Sequence, residues 1–422
     1  MIMNRCISSV FILLLFFLLG ACSPVEPPVT TPNEPTTPND STLVELDKHF
    51  VVSVDNLNGG NVTLIYQGDT VQAPLTVERN QWLTILMIPD DQHILTGSNV
   101  VKGCAARDSF QVKMDTVIRP AFESIVPETP AEHHKICNYN IRYYNGSSDN
   151  ANTGNRSWTL RKEKVFEMIR KHKMDVCGIE EITAQQAPDF LASLTEYEYI
   201  GYGRDNGKEY SAGGTGEQTG ILYRKARYVK QDQGRFFLST TPHRASKSFG
   251  SSFNRMVTWV KLKERNSDKT FYFFATHFDH PITQAGINTR SSQADVALAT
   301  IPEIVGEYPM FFVGDFNCEP TEPAYDKLQQ RWTDAFVAMG EQAQGGYICN
   351  EEQETLFPDA CAEGGNTYTG LYSSSDKEPK RIDFVFFDSK KTNIISYLAD
   401  NDNLGLEAYP SDHLPVITEM IW

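Results

Sequence analysis

The sequence predicts an α/β fold in which two mixed β-sheets pack face to face between helices, preceded by a small all-β domain. From residue 135 to residue 422, apolar strands are numerous and few helical segments lie between them. Residues 42–127 instead hold short β-rich segments separated by Gly, Pro and Asp, which indicates a separate β domain. Residues 23–41 are rich in Pro, Thr, Asn and Glu and predict an extended linker.

The first 22 residues have the features of a secretory leader. Arg5 supplies a positive charge, and the apolar run at residues 10–19 has the length of a signal-peptide core but is too short to span a bilayer comfortably. The run ends in Leu-Gly-Ala-Cys, which resembles the cleavage box of bacterial lipoproteins. That resemblance implies lipidation of Cys22 and attachment to the cell envelope outside the cytoplasm, with the outer membrane of a Gram-negative bacterium as the expected site. An ordinary signal peptide with an incidental cysteine is the alternative.

Loss of Cys6 with the leader and lipidation of Cys22 would leave six cysteines. Three of them lie in apolar or motif-bearing segments and are expected to be buried free thiols: Cys137, Cys177 and Cys318. Cys349 and Cys361 flank a short polar stretch and could close a disulfide in an oxidising compartment. The spacing of the cysteines does not match a zinc site.

The charge balance bears on the substrate class. The chain has 38 basic and 54 acidic residues, a formal net charge of −16. This argues against a general high-affinity binder of duplex DNA, because such proteins replace counterions with Lys and Arg. The sequence also has no basic run with interleaved aromatic residues. Nucleic acid is therefore a less favoured substrate.

The small domain is predicted to contain at least four strands, at residues 49–54, 61–66, 81–87 and 109–114. The stretch 59–122 resembles extracellular bacterial repeat modules that precede enzymes. A spacer role is the favoured interpretation, and binding of a glycan or a partner is the alternative.

The larger region alternates strands and helices. A strand at residues 135–140 is followed by a helix at 158–174 and a strand at 175–179, and further helices are predicted at 185–194 and 287–305. Later apolar strands are predicted at residues 256–262, 271–276, 310–314, 382–387 and 414–421.

Polar side chains follow several of these strands. Asn140 ends the first strand, Glu181 follows the second, and Asp315 and Asn317 come directly after residues 310–314. A carboxylate at the carboxyl end of a buried strand is well placed to bind a hard cation through oxygen. Turn and surface roles are the alternatives. For Asp315 with Asn317, function is favoured over turn chemistry, because the two side chains can address one reacting centre.

Two histidine-containing motifs also lie at strand ends. Asp412 and His413 precede the final strand and offer a metal-binding carboxylate and an imidazole for a developing oxyanion. His277 and His280 follow the strand at residues 271–276. A single histidine is more often structural, but two at the end of one strand favour a functional site.

In their order along the chain, these segments resemble the motifs of the endonuclease/exonuclease/phosphatase superfamily. The resemblance covers residues 136–422 and includes YNIR, WTLRKEKV, DVCGIEE, GRDNGK, GEQTGILYR, THFDH, GDFN, RIDFVFF and YPSDHLPV. It implies a four-layered α/β sandwich that hydrolyses phosphoester bonds with Mg²⁺ or Mn²⁺ as cofactor.

The resemblance also implies which residues bind the metal. Glu181 matches the metal-binding glutamate of the family, and Asn140 matches its companion asparagine. Asp412 is placed to complete the binding of metal or water. The family usually has Gln-Glu where this chain has Glu180-Glu181, so Glu180 adds a negative charge.

The remaining matched positions concern water and phosphate. Asp315 matches the aspartate that orients or deprotonates the attacking water, and Asn317 matches a residue that helps to hold the phosphate. Two imidazoles with carboxylate partners complete the implied set: His413 with Asp383, and His277 with Glu217.

The predicted function is hydrolysis of a phosphodiester or phosphomonoester outside the cytoplasm, by in-line attack of water without a covalent enzyme intermediate. Arg142, Arg255 and His280 are predicted to contact the substrate, and residues 340–365 are interpreted as an insertion at the substrate mouth. A surface nuclease is the alternative enzyme. A catalytically inactive binding lipoprotein is the alternative from another class. We expect a monomer that meets the membrane only through its anchor.

Overall fold

A computed structural model of the chain describes residues 48–55, 57–90, 93–100, 107–124, 133–144, 157–368, 378–406 and 409–422. The expectations for the leader, for lipidated Cys22 and for the linker at residues 23–41 lie outside the described residues. Within the described residues, no helix combines the length and the apolar character needed to cross a membrane.

The described residues before residue 125 form strands that belong to three small sheets, in the orders β4-β1-β8, β3-β2-β5-β7 and β6-β9. The strands are β1 His49–Val54, β2 Gly60–Tyr66, β3 Asp69–Val71, β4 Leu75–Glu78, β5 Trp82–Pro89, β6 His93–Ser98, β7 Arg107–Gln111, β8 Thr116–Ile118 and β9 Pro120–Ser124. Alternation along β5 places Leu83, Ile85 and Met87 in the core of this region and leaves Trp82 and Ile88 exposed.

The remaining strands form two larger sheets. The seven-stranded sheet has the order β12-β13-β11-β10-β22-β21-β19, and the six-stranded sheet has the order β14-β15-β16-β17-β20-β18. Their strands are β10 His134–Asn140, β11 Val176–Ile182, β12 Tyr197–Gly203, β13 Gln218–Arg224, β14 Tyr228–Phe237, β15 Met256–Glu264, β16 Thr270–His277, β17 Met310–Asp315, β18 Thr333–Asp334, β19 Gln344–Gly345, β20 Asp383–Phe387, β21 Asn393–Ala399 and β22 Val416–Ile421.

Helices cover the outer faces of both sheets. The α-helices are α1 Trp158–Lys171, α2 Ala187–Ser193, α3 Gln284–Val305, α4 Pro323–Gln329, α5 Ala335–Met339, α6 Glu351–Leu356 and α7 Pro358–Glu363. Helices α1 and α2 pack against the seven-stranded sheet, and α3 and α4 pack against the six-stranded sheet. The layers therefore run helix, sheet, sheet, helix, which confirms the predicted four-layered sandwich.

The strand sequences explain why the central strands of both sheets are buried on both faces. In β17, Phe311 and Val313 face the core between the sheets, whereas Phe312 faces the helical layer. In β11, Val176 faces the same central core and Cys177 faces α1 and α2. Such strands read as unbroken apolar runs because no side of them meets water.

The structure also resolves the expectations about cysteines and helix ends. Cys349 and Cys361 form the expected disulfide, which joins the region of α6 and α7, and the three other described cysteines are buried free thiols. Helix α3 begins three residues before its predicted start because the Thr283 side chain accepts a hydrogen bond from the Gly286 amide and caps the helix.

Candidate active site

The ends of five strands and the segment before a sixth bring the candidate residues together. Strands β10 and β11 are parallel, as are β16 and β17, so their carboxyl ends lie at common sheet edges. His277 is the direct neighbour of Asp315 across β16 and β17. Strand β20 runs antiparallel to β17 and begins at Asp383, opposite Asp315. His413 lies three residues before β22, which is antiparallel to β10. Residues far apart in the sequence thus meet at one place.

Asn140 lies at the centre of this cluster. Its side-chain Nδ2 donates to Oδ2 of Asp315 at 3.0 Å and to Oε1 of Glu181 at 3.3 Å. Its side-chain oxygen accepts the backbone N–H of Arg142 at 3.0 Å. In this orientation the amide holds the two carboxylates in place through its nitrogen, and a role of Asn140 as a metal ligand stays a prediction.

His413 and Asp383 form the predicted imidazole–carboxylate pair. Nδ1 of His413 lies 2.8 Å from Oδ2 of Asp383, and both side chains are almost fully buried. Thr367 donates its hydroxyl to the same carboxylate oxygen at 2.7 Å. The Asp383 carboxylate therefore accepts the proton on Nδ1, and Nε2 of His413 faces Asp315 at 3.6 Å.

Asp315 has neighbours on both sides. Its Oδ2 lies 3.4 Å from Nε2 of His277, and its Oδ1 accepts the backbone N–H of Asn317 at 2.9 Å. The side-chain amide of Asn317 donates to the carbonyl oxygen of Phe278. These contacts fix the Asp315 carboxylate at the floor of the cleft, where a water molecule could be oriented by it.

Glu181 reaches the cleft because the β11 strand is irregular there. The register between β11 and β13 shifts between Ile179 and Ile182, and Glu181 has a left-handed φ of 64°. Its Oε2 accepts the backbone N–H of Tyr143 at 2.9 Å. Glu180 is fully buried, and burial together with Asp383 and Asp315 raises the pKa of its carboxyl well above the usual range. The extra acid of this chain therefore lies in an environment that favours its protonated form.

Left-handed backbone conformations recur among the site residues. Arg142 has a φ of 58° and Asn317 a φ of 48°, in addition to Glu181. Conformations of this kind cost free energy for residues other than glycine and persist where the surroundings hold them. Three such residues in one cluster indicate that the contacts of their side chains outweigh the free-energy cost of the left-handed backbone.

The crowded carboxylates and buried imidazoles have shifted pKa values. Burial, together with Asp412 and Glu217, raises the pKa of Glu181 to about 7. Burial and the nearby Asp383 raise the pKa of Asp315 to about 6, although His413 opposes this shift. Burial opposes the charged form of His413, but Asp383 and Asp315 raise its pKa well above the usual range. The cluster therefore carries more carboxylates than cations to neutralise them.

A divalent cation fits this donor set. One ligand atom each from Glu181, His277 and Asp315 lies within 4.8 Å of the others, and Asp315, Asp383 and His413 form a second such group. Carboxylate oxygens are the ligands that Mg²⁺ and Mn²⁺ prefer, and burial first, then neighbouring carboxylates, raises the pKa values of Glu181 and Asp315, which a bound cation would offset. The Asp412 carboxylate is bonded to Arg142 at 2.5 Å, so its predicted place in the metal site stays a prediction.

The partner of Glu217 differs from the prediction. Its two carboxylate oxygens accept from Nη1 and Nη2 of Arg204 at 2.8 and 2.9 Å. His277 instead lies beside Asp315, and burial together with Arg255 and Arg204 lowers its pKa well below the usual range. The bidentate geometry of guanidinium and carboxylate explains why Arg204 holds Glu217. Glu217 still lines the same cleft as His277.

These residues lie in a cleft of about 1020 Å³. Its walls include the predicted substrate residues Arg255 and His280, and further cations at Arg204 and Lys380. Arg142 is not among the residues that line the cleft; it contacts the site through its bond to Asp412.

Two residues of the site were missed in the sequence. Thr367 supports Asp383, and the Tyr368 ring lies 4.9 Å from the His413 ring, centroid to centroid. Both come just after the insertion predicted at residues 340–365, and Tyr368 lines the cleft. Their only sequence signal is a short polar tract before the strand that contains Asp383.

Comparisons with known proteins agree with this geometry. The sequence matches the model of the endonuclease/exonuclease/phosphatase family over residues 137–413. A mannosyl-6-phosphatase from Bacteroides thetaiotaomicron has a similar structure, with 26% sequence identity and a TM-score of 0.57 over 68% of this chain and 100% of that one. An endonuclease/exonuclease/phosphatase from Bacteroides vulgatus is 28% identical, with a TM-score of 0.54 over 68% of this chain and 98% of that one.

A more distant sequence relative was also found. An uncharacterized protein of Acanthamoeba polyphaga mimivirus is 23% identical over 176 residues, or 38% of this chain. The match spans 60% of the length of that relative. The family match includes every predicted catalytic, metal-binding and substrate-binding residue from Asn140 to His413.

Proposed function

Because the chain belongs to the endonuclease/exonuclease/phosphatase family and is a hydrolase of that family, we propose that it cleaves the phosphoester bond of a small or sugar-derived substrate outside the cytoplasm, with Mg²⁺ or Mn²⁺. The observation that carries this proposal is the convergence of Glu181, Asp315 and His277 with the His413–Asp383 pair in one cleft. Phosphoester hydrolysis needs a bound cation, an oriented water and a donor to the phosphoryl oxygens. Carboxylates beside a charged imidazole can supply these functions.

The side chains divide the chemistry among themselves. Asp315, with a pKa of about 6, is a carboxylate near neutral pH and can orient a water and accept its proton. Asp383 and Asp315 outweigh burial and raise the pKa of His413, which favours the protonated imidazole, and this form can donate from Nε2 to an oxygen of the phosphoryl group. Glu181 and Asp315 would hold the divalent cation, which supplies neutralisation of charge on the phosphoryl oxygens when bound. In-line attack by water then needs no covalent intermediate.

Two observations favour a small substrate. The cleft volume of about 1020 Å³ suits a compact molecule, and its lining mixes cations, carboxylates and aromatic rings. The similar structure from Bacteroides thetaiotaomicron is a mannosyl-6-phosphatase. The net charge of −16 disfavours a nuclease. A sugar phosphomonoester is accordingly the substrate class that we would test before nucleic acids.

The proposed place of action rests on the leader sequence. Residues 1–22 have a positive start, an apolar core and a cysteine in a lipoprotein-like box, and the disulfide between Cys349 and Cys361 suits an oxidising compartment. We propose a monomer that is held to the outer membrane by lipid on Cys22.

The first experiment is hydrolysis of p-nitrophenyl phosphate and bis-(p-nitrophenyl) phosphate by the protein without its first 40 residues, with Mg²⁺, Mn²⁺ or EDTA. Metal-dependent release from the monoester would support the proposal and lead to sugar phosphates. Release from the diester alone would indicate a diesterase, and nucleic acids would be tested next. If neither these esters nor sugar phosphates were hydrolysed with either metal, the result would contradict the proposal and favour an inactive binding protein.

A further inference from the structure

One wall of the cleft contains cations that the proposed reaction does not use. Arg204, Arg255 and His280 surround the ring of Phe253, and we name this group the arginine–histidine wall. The Arg204 guanidinium lies 4.1 Å from the Phe253 ring centroid, and the His280 ring stacks at 5.9 Å. All four side chains line the cleft that contains the reaction centre.

Arg255 differs from the other residues of this wall because its charge is buried and its carboxylate partner lies beyond hydrogen-bonding distance. The residue is 4% exposed, and its Nε has no hydrogen-bond acceptor among the described residues. The nearest carboxylate oxygen is Oδ1 of Asp279 at 3.7 Å, which itself has no hydrogen-bond donor in the described part of the chain. The Arg255 charge therefore lacks a close acceptor among the described residues, and because the side chain lines the cleft, an anion there can pair with its Nη groups.

The contact between Arg255 and His280 fixes how the imidazole faces the cleft. Nη2 of Arg255 lies 3.4 Å from Nδ1 of His280. A guanidinium nitrogen can only donate, so Nδ1 must be the nitrogen without a proton. The ring proton then lies on Nε2. Because Nδ1 is occupied by Arg255, the pair presents only N–H donors to a ligand. His280 is exposed to the cleft, where such a donor can reach a substrate.

The other cations of the cleft are already neutralised by nearby carboxylates. Arg204 forms its two close bonds with Glu217, and Lys380 contacts Glu319 at 2.5 Å and Glu378 at 3.3 Å. An anionic group on the substrate, other than the reacting phosphate, would therefore find its best partners at Arg255 and His280.

We propose that Arg255 and His280 form a second anion subsite, which selects phosphoesters whose alcohol part carries an additional phosphate or carboxylate. This inference rests on the proposed function, because it places the additional group beside the same reaction centre. The planar fork of Arg255 suits a phosphate or carboxylate, and Nε2–H of His280 adds a donor at the exposed side of the cleft.

The test compares pairs of substrates that differ in one anionic group, with the full-length protein in detergent and saturating Mg²⁺ or Mn²⁺. Mannose 1,6-bisphosphate against mannose 6-phosphate tests a second phosphate, and 6-phosphogluconate against sorbitol 6-phosphate tests a carboxylate. The readout is the ratio of kcat/KM within each pair. We expect a ratio above about 10 for at least one pair, and that pair identifies the anion.

Two variants and a matched control assign the preference to the subsite. Arg255→Lys keeps the buried charge but loses the fork, and His280→Ala removes the exposed imidazole together with its Nε2 donor. Each should lower the ratio about tenfold. Arg265→Lys is the control, because Arg255 and Arg265 flank opposite ends of β15 and Arg265 contacts the carbonyl of Lys225 instead.

The outcomes separate the two proposals. Hydrolysis of the monophosphates with ratios near one, or ratios that both variants retain, would overturn the subsite while leaving the phosphoesterase function standing. A ratio that falls equally in Arg265→Lys would also overturn it. Inactivity of the parent protein on every phosphoester would contradict the proposed function, and the subsite with it.

Discussion

At the reaction centre, one carboxylate oxygen is shared by three neighbours. Oδ2 of Asp315 lies 3.0 Å from Nδ2 of Asn140, 3.4 Å from Nε2 of His277 and 3.6 Å from Nε2 of His413. A carboxylate in such a position is pre-oriented, and its pKa of about 6 keeps it in the basic form near neutral pH. The role of the Asp315 carboxylate can be tested by an isosteric substitution.

Asp315→Asn should lower kcat for the best p-nitrophenyl substrate by at least about 10³-fold, because the amide cannot accept the proton of the attacking water. The fold should persist, since the amide relieves the repulsion between Asp315 and Asp383. Steady-state kinetics and the Tm check both expectations. Asp295→Asn, at an exposed carboxylate on α3 that pairs with Lys327, is the control. Near-full activity of Asp315→Asn would refute the assigned role.

The raised carboxyl pKa values predict how metal and pH act together. Glu181 and Asp315 have folded-state pKa values of about 7 and about 6, above unfolded values of about 4. Their contribution to stability in the metal-free protein is therefore present below pH 4 and is lost as the pH rises through 6 to 7. A cation that binds the charged carboxylates should restore stability mainly above that range.

Saturating Mn²⁺ should accordingly raise the Tm more at pH 8 than at pH 5. At a concentration 100 times Kd, bound cation contributes about 2.7 kcal/mol, or a shift of roughly 5 °C. Thermal unfolding with Mn²⁺ or EDTA measures the shift at each pH. Glu181→Gln should abolish the shift at pH 8, whereas Glu303→Gln, at an exposed position of α3, should keep it. An equal shift at both pH values would argue against proton-linked binding at Glu181.

At the scale of elements, the insertion that contains the disulfide is followed along the chain by Thr367, which holds the Asp383 carboxylate that pairs with His413. Helices α6 and α7 are joined by the disulfide, and the chain that leaves them reaches Thr367 within a few residues. The Thr367 hydroxyl donates to the Asp383 carboxylate and accepts the backbone N–H groups of Ile382 and Asp383. These bonds fix the start of β20, so that Asp383 stays in contact with His413.

Thr367→Val should lower kcat by roughly tenfold to a hundredfold, as for other losses of a residue that orients a site group. It should also cost about 1–3 kcal/mol of stability, because the backbone donors of β20 lose their acceptor. Kinetics and chemical denaturation measure the two effects. Thr392→Val provides the control, since Thr392 is 2% exposed and its hydroxyl has no partner among the described residues. Equal effects of the two substitutions would refute the assigned role.

At the scale of the whole molecule, the parts follow one another along the chain. The leader and linker come first, the strands of residues 48–124 follow, and the sandwich carries the active site. An ion pair between Glu123 of β9 and Arg224 of β13 links the small β region to the sandwich. The proposed attachment of the enzyme to the membrane depends on a single modification, the lipidation of Cys22.

Cys22→Ser should remove lipid labelling and release the protein from the membrane fraction. Growth with labelled palmitate, followed by fractionation and blotting, measures both effects. Cys6→Ser is the matched control, because Cys6 lies within the same leader but outside the lipoprotein-like box. Persistent labelling of Cys22→Ser would contradict anchoring at this cysteine.

Local patterns were enough to predict the layers of the fold. Unbroken apolar runs such as Met310–Asp315 predict strands buried on both faces, and the paired cysteines predict the disulfide. The resemblance to the superfamily, carried by the ordered motifs, likewise implied the pairing of His413 with Asp383, which the structure contains. The small helices α4–α7 were missed, since segments of five to seven residues carry too little periodicity to be recognised.

The sequence by itself determined the family and the residue types at the ends of the predicted strands, because those properties depend on contiguous stretches of the chain. Only the tertiary structure decided which side chains pair: Glu217 with Arg204, Thr367 with Asp383, and Asn140 with Asp315. It also decided that Glu180 points into the core while Glu181 turns to the cleft, through one irregularity in β11. The physical reason is that such pairing depends on how two sheets pack against each other, and no local stretch of sequence specifies that contact.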